Sequence, residues 1–178
     1  MNLYGDRVFL RPLALDDFES IYSWATDLST TRYLGGFYSG KILAQDIWEV
    51  LENRVNGDAG GEEFAICSKT DLAYIGQCAL MPIDRVCKKA EISFLLIPSA
   101  RGQGLGLEAL KLLIDFAFNQ IDLNRLWLKC DANNFPAIKL YLKAGFKQEG
   151  LLRKDCISDG AYSDSIILGL LKEDVYDS

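Results

Sequence analysis

The sequence predicts one domain of the mixed α/β class spanning residues 1–178, and three observations carry the prediction. Strand-like and helix-like hydrophobic segments alternate along the chain. The 178 residues suffice for one substantial core, and 49% hydrophobic with 25% charged residues is ordinary for a globular protein. No repeat, low-complexity tract or interdomain linker divides the chain.

The elements follow in order. "RVFLRPL" reads as an opening strand. Asp16 with Glu19 signals a helix start, and Phe18, Ile21, Tyr22 and Ala25 follow at helical spacing. "DLSTTRYLGGFYSG" is a loop by its glycines and small polar residues. A second helix is expected from about Ser39, with Leu43, Ile47, Val50 and Leu51 on one face. "EEFAICSKTDLAYIGQCALMPID" gives two strands around a turn at Lys69–Asp71, and "KKAEISFLLIP" gives another, ended by Pro98. A helix follows, with Leu110, Leu113, Ile114 and Ala117 on one side and Glu108, Lys111, Asp115 and Asn119 on the other. "RLWLKCD" is a strand. "NNFPAIKLYLKAG" is a short helix with Asn134 as N-cap, Pro136 in its first turn and Gly145 as its stop. "FKQEGLLRKD" and "SDSIILGLL" close the domain as strands.

Composition excludes several functions. With no histidine, neither Ser-His-Asp nor Cys-His catalysis nor an imidazole zinc site can be built, and no metal is expected. The five cysteines are odd in number and form no C-x-x-C, which suits a reducing cytoplasm. The N-terminus lacks a signal-peptide pattern, and the most apolar stretch, 107–121, is broken by charges, so no membrane role is expected. The net charge of −6 and the lack of a basic tail argue against nucleic acid. Charge is uneven: residues 16–63 hold ten acids against three bases, and residues 101–154 hold nine bases against five acids. The first segment favours a cation and the second an anion, although solvated helix faces explain most single charges.

The stretch "SARGQGLGLEAL" places Gly102, Gly104 and Gly106 between a strand and a helix. A P-loop is excluded because no Lys-Ser/Thr pair follows. Gly104, Gly106 and Ala109 fit a permissive dinucleotide fingerprint, but too little chain follows for a doubly wound sheet. The remaining readings are Arg/Gln-x-x-Gly-x-Gly/Ala, whose backbone N–H groups and helix N-terminus would hold a pyrophosphate, and a ligand-free turn.

Thirty residues on, Asn134, Ala137, Leu140, Tyr141, Gly145 and Phe146 in "NNFPAIKLYLKAGF" resemble the second signature of the GCN5-related N-acetyltransferase (GNAT) superfamily. "KKAEISFLLIPSARGQGLG" resembles that superfamily's preceding strand and loop. The start "RVFLRPLALDDFESIYSWATD" and the end "SDGAYSDSIILGLLKED" resemble the branch holding ribosomal-protein N-terminal acetyltransferases and spermidine N-acetyltransferase. The likeness is clearest over residues 88–164 and thins over 35–73.

The resemblance implies a mostly antiparallel central sheet with flanking helices and acetyl-CoA as donor. It implies that backbone groups of Phe94, Leu95 and Leu96 pair with the pantetheine. The run Arg101, Gly102, Gln103, Gly104, Leu105, Gly106 and Leu107 would cradle the pyrophosphate. Asn134, Ala137 and Lys143 would line the rest of the donor site, with Asn134 bonding the pantetheine. Tyr141 matches the family's general acid, and Glu91 sits where several relatives carry a base; a salt bridge with Lys88 or Lys89 is the other role open to Glu91. The implied reaction is direct attack of an amine on the thioester. The implied acceptor is a small-molecule primary amine: a polyamine, an aminoglycoside or an amino sugar, cationic by the charge argument. Spermidine enzymes carry acids near the loop that reads "YLGGFYSG" here, where there are none. A protein N-terminus is the alternative acceptor, although several ribosomal-branch relatives have serine in place of Ala137. A non-catalytic acetyl-CoA-binding regulator on the same fold is the reading from another class, and a homo-oligomer is left open.

Overall fold

The computed structural model describes residues 1–34, 42–57, 60–158 and 160–176. Elements run in chain order as β1 (Leu3–Tyr4), β2 (Val8–Pro12), α1 (Phe18–Ala25), α2 (Leu28–Thr31), α3 (Ala44–Val55), β3 (Glu62–Ser68) and β4 (Tyr74–Asp84). They continue as β5 (Lys89–Leu96), α4 (Leu105–Asp115), β6 (Arg125–Asp131), α5 (Phe135–Lys143), β7 (Lys147–Ser158), β8 (Ala161–Leu171) and α6 (Lys172–Tyr176). One eight-stranded sheet results, ordered β1-β2-β3-β4-β5-β6-β8-β7. Every neighbouring pair is antiparallel except β5–β6, which is parallel. The mixed α/β class is therefore as read from the hydrophobic pattern, and the mostly antiparallel sheet is as the family resemblance implies.

Hydrophobic alternation puts a core on each face of the sheet. On one face Leu110, Leu113, Phe116 and Phe118 pack on Leu10, Ile66, Leu80, Leu126 and Leu168. On the other, Ile21 and Trp24 of α1 and Ile47 and Leu51 of α3 pack on Leu13, Ala65, Cys67 and Leu95. Trp24 Nε1 donates to the Tyr74 hydroxyl at 3.1 Å, which lets the indole sit in the core with its one donor satisfied.

Three local expectations change. The start of α1 is organised by Asp17 rather than Asp16. Its buried carboxylate accepts from Ala14 N at 2.9 Å and takes Arg11 bidentately at 2.6 and 2.8 Å. Within the expected loop, Leu28–Thr31 forms one helical turn, because the Asp27 carboxylate accepts from Ser29 N, Ser29 Oγ and Thr30 Oγ1 at 3.1, 2.7 and 2.5 Å. Helix α3 begins at Ala44, with Leu43 as an exposed N-cap instead of a core residue; the expected start at Ser39 lies outside the described residues. The rest of the expected loop, Gly35–Gly40, lies outside them too. Among the described residues no helix is long and apolar enough to cross a membrane, and no cluster of three or more acidic or thiol groups could hold a metal ion.

Candidate active site

Strands β5 and β6 pair only at Lys89–Arg125, Ala90–Leu126 and Glu91–Trp127. Beyond Glu91 they part. Residues Ile92–Leu96 stay paired to β4 on one side, while residues 128–131 pair only with β8. The sheet therefore opens as a wedge, and β5 carries unpaired backbone donors and acceptors along one edge. Such an edge can take one more extended chain as an added strand.

A cleft of about 480 Å³ lies along this open edge of β5. Phe94, Leu95 and Leu96 line it from β5. Arg101, Gly102, Gly104, Gly106 and Leu107 line it from the glycine loop and the first turn of α4. Asn134, Ala137, Tyr141 and Lys143 line it from α5. Most sequence-selected residues thus converge on one cavity. Two loop residues do not line it: the Gln103 side chain turns back to donate to Ser99 O at 2.7 Å, and Leu105 packs against the core. The sequence did not single out Ser29, Thr30, Tyr33 and Leu34, which wall the cleft from α2 and the segment after it. Pro136, Lys139 and Leu140 of α5 line it too; the sequence marks Pro136 only as a first-turn residue and Leu140 only as part of the signature, although Leu140 stands three residues from Ala137 and Lys139 four from Lys143.

The glycine loop has the backbone that its composition demands. Gly102 and Gly104 sit at φ +75° and +81°, in the left-handed region that disfavours side chains. Gly104 is the N-cap of α4, so the positive end of that helix faces the cleft. Gly106 is buried where a Cβ would lie 2.9 Å from Leu96 Cδ1, which lets α4 approach β5 closely. Arg101 Nε donates to Leu96 O at 2.9 Å and so ties the loop to the open strand.

On α5, Asn134 caps the helix as expected, accepting from Ala137 N at 3.3 Å. Tyr141 is only 6% exposed, and its ring meets Phe146 edge-on at 5.7 Å. Among the described residues its hydroxyl has no hydrogen-bond partner, yet it is not cut off from solvent. Burial, then the neighbouring thiols of Cys130 and Cys78, push this phenol above its ordinary range. The Cys130 thiol is itself pushed up to about 12, chiefly by burial. Tyr141 is therefore a protonated, unengaged donor at neutral pH.

Glu91 stands at the apex of the wedge, half-buried, and does not line the cleft. Burial raises its pKa, with Lys129 opposing. Lys88 pairs instead with Asp122 at 2.6 Å and Lys129 with Asp155 at 3.0 Å, and among the described residues Glu91 makes no ion pair. Several N-terminal acids already hold structural partners. Asp17 pairs with Arg11, Glu63 pairs with Arg54 at 3.2 Å, Asp46 accepts from Leu43 N at 2.8 Å, and Asp27 caps α2.

Comparison with known proteins matches residues 7–147 to the acetyltransferase (GNAT) domain family. An uncharacterized N-acetyltransferase, p20, of Bacillus licheniformis is 31% identical over 97% of both chains. The spermidine N(1)-acetyltransferase of Escherichia coli K12 is 28% identical over 89% of this chain and 83% of its own. Spermidine N-acetyltransferase from Vibrio cholerae, solved with CoA and spermine, superposes with a TM-score of 0.87 at 20% identity, covering 96% of this chain and 98% of that one. A Bacillus subtilis protein named as a putative ribosomal N-acetyltransferase, YdaF, is 29% identical over 58% of this chain and 57% of its own, and the ribosomal L7/L12 acetyltransferase RimL shares the fold with a TM-score of 0.86 at 16% identity, covering 96% of this chain and 98% of that one. The chain belongs to the GNAT family of acetyltransferases, and it is an N-acetyltransferase of that type.

Proposed function

We propose that this enzyme transfers the acetyl group of acetyl-CoA to a primary amine of a small, cationic acceptor by direct attack of the neutral amine on the thioester. The observation that carries this reading is the wedge between β5 and β6, with a positive helix N-terminus at one end and a free phenol beside it. The pantetheine pairs with the open edge at Phe94–Leu96. The pyrophosphate meets the loop at Gly102–Gly106. Lys143 supplies a cation on the α5 wall of the same cleft.

With both substrates held together, alignment and stabilisation of the developing oxyanion supply most of the acceleration. Tyr141 then protonates the departing thiolate. From unperturbed values the transfer is about 2 kcal/mol uphill. Burial raises the phenol further, but a thiolate leaving beside it is desolvated by the same walls, so the gap does not simply widen. Glu91 takes the amine proton through water, because its carboxylate stands outside the cleft lining.

The cationic preference rests on the acidic N-terminal segment acting as a field. Asp27 and Asp46 already cap helices, so each adds charge to that field with part of its hydrogen-bonding capacity in use. Assay of CoA thiol release with spermidine, an aminoglycoside, a basic peptide and a nucleotide-linked amino sugar, each at low and high salt, tests the reading. A cationic small molecule should be acetylated, with kcat/KM falling as salt rises. Acetylation of the nucleotide sugar alone would refute the charge argument. Acetylation of the peptide N-terminus alone would favour a protein acceptor.

A further inference from the structure

Glu108 lies in the first turn of α4, where a negative charge suits the helix but opposes any phosphate at its N-terminus. The side chain avoids that conflict by turning away from the cleft. Its Oε1 accepts from the backbone N–H groups of Arg7 and Val8 at 2.7 and 3.2 Å, and its Oε2 pairs with Arg7 Nε at 3.1 Å. Arg7 then reaches on to the glycine loop: Nη1 donates to Gln103 O at 3.0 Å. A Cβ at Gly104 would lie 3.2 Å from Arg7 Nη2, so the guanidinium covers the back of the loop.

The peptide between Gln103 and Gly104 is planar and trans, so its N–H points opposite to its C=O. With the Gln103 carbonyl held by Arg7 behind the loop, the Gly104 N–H is turned to the front, toward the cleft that Gly104 lines. That N–H donates to no described backbone group. We propose that Arg7 and Glu108 are a positioning pair, which sets the Gln103–Gly104 peptide so that the Gly104 N–H receives a phosphate of the donor, while Arg7 neutralises the one carboxylate in that helical turn. This rests on the proposed donor site at the glycine loop.

The test compares two donors, acetyl-CoA and S-acetylpantetheine, which carries the same thioester without phosphates. The wild-type enzyme should show a much lower KM for acetyl-CoA. Arg7→Gln should raise that KM about tenfold, leave kcat near the wild-type value, and leave the KM for S-acetylpantetheine unchanged. Glu108→Gln keeps an oxygen for the Arg7 N–H and should give the same split with a smaller rise; it serves alone if Arg7→Gln does not fold. An unchanged KM for acetyl-CoA, or equal rises for both donors, overturns the pair's role. If the wild-type enzyme does not discriminate between the donors, the donor site itself is misassigned and the proposal falls with it.

Discussion

Gly104→Val puts a β-branched side chain on the loop that faces the cleft, at a backbone position in the left-handed region. At φ +81° a residue with a Cβ costs about 1–2 kcal/mol, and a β-branched one belongs at the upper end. The new side chain also starts 3.2 Å from Arg7 Nη2 and pushes the guanidinium off the loop. The loop escapes the strain by turning its peptide groups, and that scatters the N–H groups that face the cleft. Acetyl-CoA affinity should then fall by at least the conformational cost, about 5- to 30-fold. Calorimetric titration with CoA reads this directly, with circular dichroism to verify the fold. Gly57→Ala is the control: Gly57 sits at φ +81° with nothing near its Cβ position and does not line the cleft. It should lose similar stability and bind CoA as the wild type does. A folded Gly104→Val variant with unchanged CoA affinity would show that the glycine loop does not hold CoA.

Other substitutions probe separate steps. Tyr141→Phe keeps the ring against Phe146 but removes the proton, so kcat should drop roughly 10²-fold while CoA affinity stays constant; a variant retaining most of its kcat would move the acid elsewhere. Glu91 works as a base only when ionised, and burial raises its pKa, so kcat/KM should fall with decreasing pH through a limb above the usual carboxylate range. Glu91→Gln should abolish that limb, and its persistence would assign it to another group. Asn134→Ala removes the cap on Ala137 N and should cost about 1 kcal/mol of stability by thermal denaturation; an unchanged melting temperature would show the cap to be idle.

The parts of this architecture that are local in the chain were legible in the sequence. The glycines needed for positive φ, the Asn134 cap and the amphipathic face carrying Tyr141 each leave a signal within a few residues. The same is true of the strands on either side of the wedge. What escaped reading depends on partners distant in sequence or on choices between equivalent neighbours. Asp16 and Asp17 are chemically alike, and Asp17 prevails because Arg11 on β2 meets it. Glycines and small polar residues made 27–40 read as loop, yet Asp27 gathers three donors and closes a turn of helix there. That turn walls the cleft with Ser29 and Thr30, a role set by tertiary packing with no periodic signature. Arg7 and Glu108 stand 101 residues apart, so nothing in their neighbourhoods announces the pair. Gln103 and Leu105 matched a contiguous motif, but the backbone turns alternate side chains away from the cavity.

We infer that the wedge between β5 and β6 takes the donor as an added strand and delivers its sulfur to Tyr141. A crystal structure of the enzyme with bound CoA tests it most directly. That structure should show pantetheine hydrogen-bonded to the backbone at Phe94–Leu96, pyrophosphate against the N–H groups of the 102–106 loop, and the thiol within hydrogen-bonding reach of the Tyr141 hydroxyl. CoA bound elsewhere, or bound in the cleft with its sulfur directed away from Tyr141, would contradict it.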